Sequence, residues 1–479
     1  MRRSPWSTLV VLAIAQFMVV LDVTIVNVAL PNIQTDLGFA PDDLQWVISA
    51  YTLIFGGFLL LGGRSADLVG RRRVFVAGLA VFALSSLAAG LATSPLQLIL
   101  FRGVQGLGGA MLSASALTIL MVTFEHGRRR NIALGVWGGL AGLGGTMGAI
   151  VGGILVDNLS WRWVFLVNVP IGILVVAAAL FIIRESRAVI SGRRTFDVGG
   201  AVLSTAGLLA IMLGVIRAEP LGWGSVEVIG LLAGGVVLLA AFVLVESRSA
   251  APLIPLRLFR TRSLSLSVVA LGLNSAGFLA MFFLTAIFLQ QVRGLSAFDT
   301  GLAFLPMGIA AIVGAVVASR FVTTFGTRSV QLVAAIISVV GLLLLTQADA
   351  TSPYASTLLP GLVLFGLGIT AMGVPAQVAA QSKVRSDDAG AASGVLNAGY
   401  QVGGALGLAV ITTLATSHVA DALAGGTAPV AAAVDGFQFG LLVAAMFAAA
   451  NIVITLLSPS VRVSQTDATE AAELEPVAI

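Results

Sequence analysis

Two charges stand inside apolar sequence. Asp22 lies in the run from Phe17 to Leu30 and Arg102 in the run that begins at Pro95, whereas the other acids and bases fall at or beyond the ends of such runs. An ionised side chain in hydrocarbon is costly unless it faces a partner or a wet cavity, so both are functional candidates. At helical rise Asp22 is roughly 12 Å from the end of its run and Arg102 roughly 10 Å past Pro95, which puts them at similar depth on antiparallel helices. The face bearing Arg102 continues through Gln105, Gly106, Gly109 and Ser113, a small polar stripe suited to a wet, moving interface. A structural ion pair locking two helices is the alternative. Desolvation favours the neutral acid and a guanidinium favours its anion, so a rearrangement that alters water access or separation can load or release a proton at Asp22.

The elements that position this pair follow from composition. Of 479 residues 58% are hydrophobic and 10% charged, with a mean hydropathy of +1.03. Soluble chains carry about a quarter charged residues, so an all-α polytopic membrane protein is expected. Cysteine is absent, and the two histidines, His126 and His418, fall in predicted loops, so no metal centre, thiolate nucleophile or cofactor site is expected. No Ser–His pair or second buried acid accompanies Asp22, which argues against an enzyme. Apolar runs long enough to span predict six helices over 8–183, two over 197–245 and six over 263–458, fourteen in all, with a disordered acidic tail at 459–479. The segment after Met1, Arg2 and Arg3 is too long for a leader and reads as the first span. Alternate loops collect every basic residue except Arg162, Arg217, Arg293 and the intramembrane Arg102, which predicts both termini to be cytoplasmic.

The chain also repeats itself. A shift of 256 residues lays Gly38, Asp43, Arg64, Gly70 and Arg72 on Gly294, Asp299, Arg320, Gly326 and Arg328, and a shift of 259 lays Gly144 and Gly148 on Gly403 and Gly407. The plan is therefore 6+2+6, two related bundles with an insertion between them, an architecture that places a substrate site near the midplane. The copy is uneven: Phe278 stands where Asp22 would be, and Leu362 near where Arg102 would be.

Three further sets carry expectations. Gly63 to Arg73, with Asp67 and Gly70 beside Arg71 and Arg72, reads as a cytoplasmic loop acting either as an orientation signal or as a charge latch. The fifth helix, with Gly144, Gly148, Gly152 and Gly153, is rich in small residues along its length, which suits close packing or gating. Mid-span Asn27, Tyr51, Trp137, Asn274, Phe278, Phe282, Asn397, Tyr400 and Gln401 could wall a pocket for hydrophobic ligands, or could pack or face lipid.

Several of these segments resemble a known family. Leu21 to Pro31 is similar to the first-helix motif of the fourteen-helix drug:proton antiporters of the major facilitator superfamily. Gly63 to Arg73 resembles that superfamily's loop motif and Arg102 to Gly109 its fourth-helix basic motif, and Trp161 to Gly172 and Gly222 to Gly224 are also characteristic. The resemblance implies export of hydrophobic, often cationic compounds in exchange for protons across the cytoplasmic membrane, with Asp22 carrying the proton and Arg102 assisting. It departs at Ala149, where the fifth-helix motif has proline after glycine, so less bending is expected there. The expected partners are small hydrophobic or cationic substrates, protons and the lipid bilayer, with no nucleic acid, for a monomeric chain. A flippase for a lipid or cell-envelope precursor on the same scaffold is the alternative, and a transporter-like sensor a more distant one. A single deep acid predicts one proton per cycle.

Overall fold

The computed structural model describes residues 4–124, 133, 136–137, 144, 147–148, 150–186, 198–249, 256–382, 384 and 389–461. The expected tail beyond Val461 and most of the expected fifth span lie outside the described residues. Among those described there is no strand. Besides the one-turn helices Pro41–Leu44 and Trp163–Leu166, the described helices in chain order are α1 (Pro5–Leu37), α2 (Trp46–Val69), α3 (Arg71–Gly90), α4 (Pro95–Thr123), α5 (150–158), α6 (Asn168–Ile182), α7 (Val198–Leu221) and α8 (Val226–Arg248). They continue with α9 (Arg262–Ile287), α10 (Ala297–Phe325), α11 (Thr327–Leu345), α12 (Leu359–Gln381), α13 (Ala389–Ala424) and α14 (Pro429–Leu457). Eleven described helical stretches are long and apolar enough to cross a membrane, and shorter apolar stretches, Trp46–Leu59 and Val202–Ala218, lie in α2 and α7.

Helix ends follow local chemistry. Ser4, Ser94, Ser225 and Ser296 each accept a first-turn N–H of the helix that follows, satisfying a donor with no intrahelical partner. Two helices outrun their apolar sequence. α1 continues from Leu30 through polar residues to Leu37, because Gly38, at φ 70°, is the first position that readily leaves the helix. Asp22 thus sits near the middle of a 33-residue helix, not close to its end. Likewise α8 reaches Arg248, which brings Glu246 inside the helix, where it is buried.

The repeat has a backbone signature. Gly38 and Gly294 share φ values of 70° and 67°, and Gly70 and Gly326 have 130° and 79°, each pair 256 residues apart. Packing repeats too: Gly106 lies against the Tyr51 carbonyl and Gly366 against that of Met307, so a Cβ on either glycine would strike backbone.

The two ends of the bundle differ. At the end away from the chain termini, one apolar core unites Leu30, Ile33 and Val47 with Phe282, Phe304 and Phe437. Toward the termini the core divides into a cluster around Leu12, Phe75 and Phe82 and another around Leu264, Ala376 and Leu396. The helix groups are therefore sealed together distally and packed separately at the other end. Of the inserted helices, α7 packs Met212, Val215 and Ile216 on Leu53 of α2 and on Ala405 and Ala409 of α13. α8 leans on α7 through Gly207 and Gly235 and turns Val226, Val236 and Val237 outward.

Candidate functional site

Five helices converge on Asp22. Arg102 in α4 approaches it with Nη1 2.6 Å from Oδ2, and both side chains are fully buried. Gln105, one turn further along α4, donates from Nε2 to Asp22 Oδ1 at 2.8 Å while its Oε1 accepts from Arg102 Nη1 at 2.7 Å. Asn168, the first residue of α6, donates to the same Oδ1 at 2.8 Å. Ser86 in α3 accepts from Gln105 and Asn168 at 3.2 and 3.0 Å and donates to the Phe165 carbonyl at 2.9 Å. Arg102 Nε donates to the Val47 carbonyl at 2.8 Å, and its guanidinium stands 4.4 Å from the centre of the Tyr51 ring in α2.

This arrangement suits an anionic carboxylate, which accepts three hydrogen bonds while each donor is held by a second partner. The cluster ties α1, α2, α3, α4 and α6 together around one buried carboxylate.

The other expected residues have varied surroundings. Asn27 is buried and donates to the Val23 carbonyl at 2.7 Å, and Trp137 is half-buried against the first group's core. Asn274 donates to the Ile369 carbonyl at 3.1 Å and borders a small cavity with Ser338 and Asn451. Phe278 touches Phe282, which stacks on Phe304 at 4.1 Å inside the distal core. On α13, Asn397 is exposed, Tyr400 and Gln401 are half-buried, and Gln401 lies opposite Gly56.

The expected loop at Gly63 to Arg73 is corrected. Helix α2 runs through Gly63 and Asp67 to Val69, and the chain turns at Gly70 alone, because its φ of 130° disfavours any residue with a Cβ. The side chains of Arg64 and Asp67 lie outside the described residues. Arg72 donates its N–H to Glu185 Oε1 at 3.1 Å, and Nε of Arg72 and of Arg73 lie 3.9 and 3.6 Å from Glu185 Oε2. The Arg71 N–H bonds the Ser186 carbonyl at 3.0 Å. In and near α5, Gly144, Gly148 and Gly152 face Val20, Thr24 and Ile25 of α1, and Thr24 donates to the Gly144 carbonyl at 3.0 Å. Gly153 faces α10, and Ala149 lies outside the described residues. Trp161 and Arg162 clamp Asp36 at the end of α1 with bonds of 2.9 and 2.6 Å.

The family model for the Major Facilitator Superfamily matches residues 12–408. The chain belongs to that superfamily. This facilitator is 40% identical to the puromycin resistance protein pur8 of Streptomyces alboniger over 98% of its own length and 94% of that protein. It is 43% identical to the cephamycin export protein CmcT of Amycolatopsis lactamdurans, covering 86% and 85% of the two chains. Its fold is similar to that of a bacterial homolog of the human lysosomal transporter Spinster in an inward-facing, unoccupied conformation, with a TM-score of 0.66 at 15% identity over 95% and 97% of the chains. Family and composition make this facilitator a multi-pass cell-membrane transporter rather than an enzyme.

Sequence reading had singled out Asp22, Arg102 and Gln105. Ser86 was missed, being a small polar residue with no distinguishing neighbours. Asn168 was visible only within the Trp161 to Gly172 motif, and Glu185 carried no distinguishing signal.

Proposed function

We propose that this facilitator is a proton-coupled antiporter that exports hydrophobic or monocationic drugs across the cytoplasmic membrane by alternating access. Its spans number fourteen in a 6+2+6 plan, with both termini cytoplasmic. Resistance and export relatives along nearly the whole chain support the substrate class. The observation that carries the proton coupling is the buried Asp22–Arg102 pair at 2.6 Å, with three donors on one carboxylate.

With the N-terminus inside, the sealed distal end faces outward and the parted end faces the cytoplasm. The gripped carboxylate then corresponds to the form that has already released its proton inward and is ready for substrate. Opening outward exposes Asp22 to the acidic side, where it takes a proton as the donors let go and substrate leaves. Return to the inward state brings Arg102, Gln105 and Asn168 back onto the carboxylate and expels the proton. The grip of Arg72 and Arg73 on Glu185 serves as the cytoplasmic latch, and the nine mid-span residues contribute to the substrate pocket.

One proton per cycle makes export of a monocation electroneutral, whereas a dication would move against an inside-negative potential worth about 2.3 kcal/mol per charge per 100 mV. Proteoliposomes test this: monocation transport should follow an imposed pH gradient, ignore potential, and lose its proton dependence in Asp22→Asn. Retained proton coupling in that variant would overturn the assignment of Asp22. Strong voltage dependence would overturn the stoichiometry.

A further inference from the structure

Most polar bonds that hold the distal seal are neutral. Gln290 Nε2 donates to the Val28 carbonyl at 3.0 Å, Gln291 Nε2 donates to Gln34 Oε1 at 2.8 Å, and Thr412 bonds Gln45. Asp157 on α5 differs. Its Oδ1 accepts the Ala297 N–H at 3.2 Å and its Oδ2 the Phe298 N–H at 2.8 Å, and these are the first two residues of α10. Such first-turn amides have no intrahelical acceptor and form the positive end of the helix dipole. Ser296 caps only the third of them, accepting from Asp299 at 3.0 Å. The cap of α10 is completed by a carboxylate from the other helix group.

Gly153, one turn before Asp157 on the same face, makes this reach possible. A Cβ there would lie 2.8 Å from the Ala297 carbonyl oxygen, so α5 and the start of α10 meet nearly backbone to backbone. Among the described residues at the distal end, Asp157 is the one ionisable side chain that bonds across the two groups.

We propose that Asp157 is a gating residue of the transport cycle: it clasps the N-terminus of α10 while the distal end is shut and must release it for that end to open. This rests on the alternating-access reading above. When the groups part, Asp157 and the two amides pass to water, so the clasp favours the shut state alone. Its loss therefore raises the open-to-shut ratio and weakens the apparent affinity for substrate offered from the proximal side in proportion to the fall in the shut fraction.

Because the chain has no cysteine, spin labels can be placed without background. Leu91 and Ala355 are exposed, in the distal turns of the first and second helix groups respectively, and Leu91→Cys with Ala355→Cys in the full chain in nanodiscs reports their separation. Asp157→Ala should raise the long-to-short distance ratio about three- to tenfold, the scale of one ordinary hydrogen bond, and raise KM for proximal substrate by a smaller factor, set by the fall in the shut fraction. Asp157→Asn, keeping one acceptor, should fall between. Gly153→Ala should shift distances in the same direction through crowding, giving a second route if Asp157→Ala does not fold. Distance distributions that superimpose on the wild type, with or without a lower melting temperature, would overturn the proposal. Wild-type export that ignores a proton gradient would instead refute the antiport reading and leave the distance result standing.

Discussion

The two helix groups fill corresponding positions with opposite chemistry. Shifts of 256 residues carry Asp22 onto Phe278 and Ser86 onto Leu342, and the shift of 260 that carries Gly106 onto Gly366 takes Arg102 onto Leu362 and Gln105 onto Phe365. The first set forms a buried hydrogen-bonded cluster, whereas the second belongs to or packs on the apolar distal core. Hydrocarbon thus suffices to pack these helices. A buried ion pair is commonly no more stabilising than apolar side chains of similar volume, so folding alone does not account for the charge in the first group. The asymmetry confines the buried charges and their hydrogen-bonded cluster to the first group, while the corresponding positions of the second join the distal core that both groups build.

The largest expected effect comes from breaking the cluster on one side. Arg102→Leu copies the second group's residue but strands Asp22, and should cost about 3–5 kcal/mol in stability along with proton-coupled transport. Thermal unfolding in detergent and transport in proteoliposomes read the two effects. Asp22→Phe combined with Arg102→Leu copies both charged positions and should recover part of that stability, since Gln105 and Asn168 lose their carboxylate acceptor, while remaining inactive. If the double variant were as unstable as the single one, the comparison would fail.

A smaller and symmetric effect is expected at the shared packing points. Gly106→Val and Gly366→Val each press a side chain against a neighbouring carbonyl, and each should destabilise by about 1–3 kcal/mol. Similar melting shifts for the two would support equivalent packing, and a large disparity would limit the repeat to sequence. The smallest effect should come from Glu185→Gln. Its ion pairs, at 3.6 and 3.9 Å, are partly solvated and worth about 0–1 kcal/mol, so stability should barely change. A faster transport cycle in that variant would fit a latch, and an unchanged cycle would reduce the contact to packing.

The sequence made Asp22 and Arg102 legible because a lone charge in an apolar run has few explanations. Gly38, Gly70, Gly294 and Gly326 were legible as a repeat because positive φ restricts residue choice. Ser86 and Asn168 were harder to read: a hydroxyl or amide is tolerated at many helix positions, and its role depends on which neighbour packs over it. Boundaries failed where polar residues prolong a helix beyond its apolar core, as at Asn32 to Leu37 and at Glu246. Gly63 to Arg73 misled for a related reason, since glycine and charge suggest a loop while a single residue makes the turn.

The place of α7 carries a consequence for traffic through the bilayer. By lying along α2 and α13 it covers one of the two seams between the helix groups, while α8 leans on α7. For a lipophilic compound diffusing within the membrane, the two flanks of the transporter are therefore unequal. One flank presents the inserted pair, and the other presents the seam where α5 meets α10, so lateral approach has a preferred side.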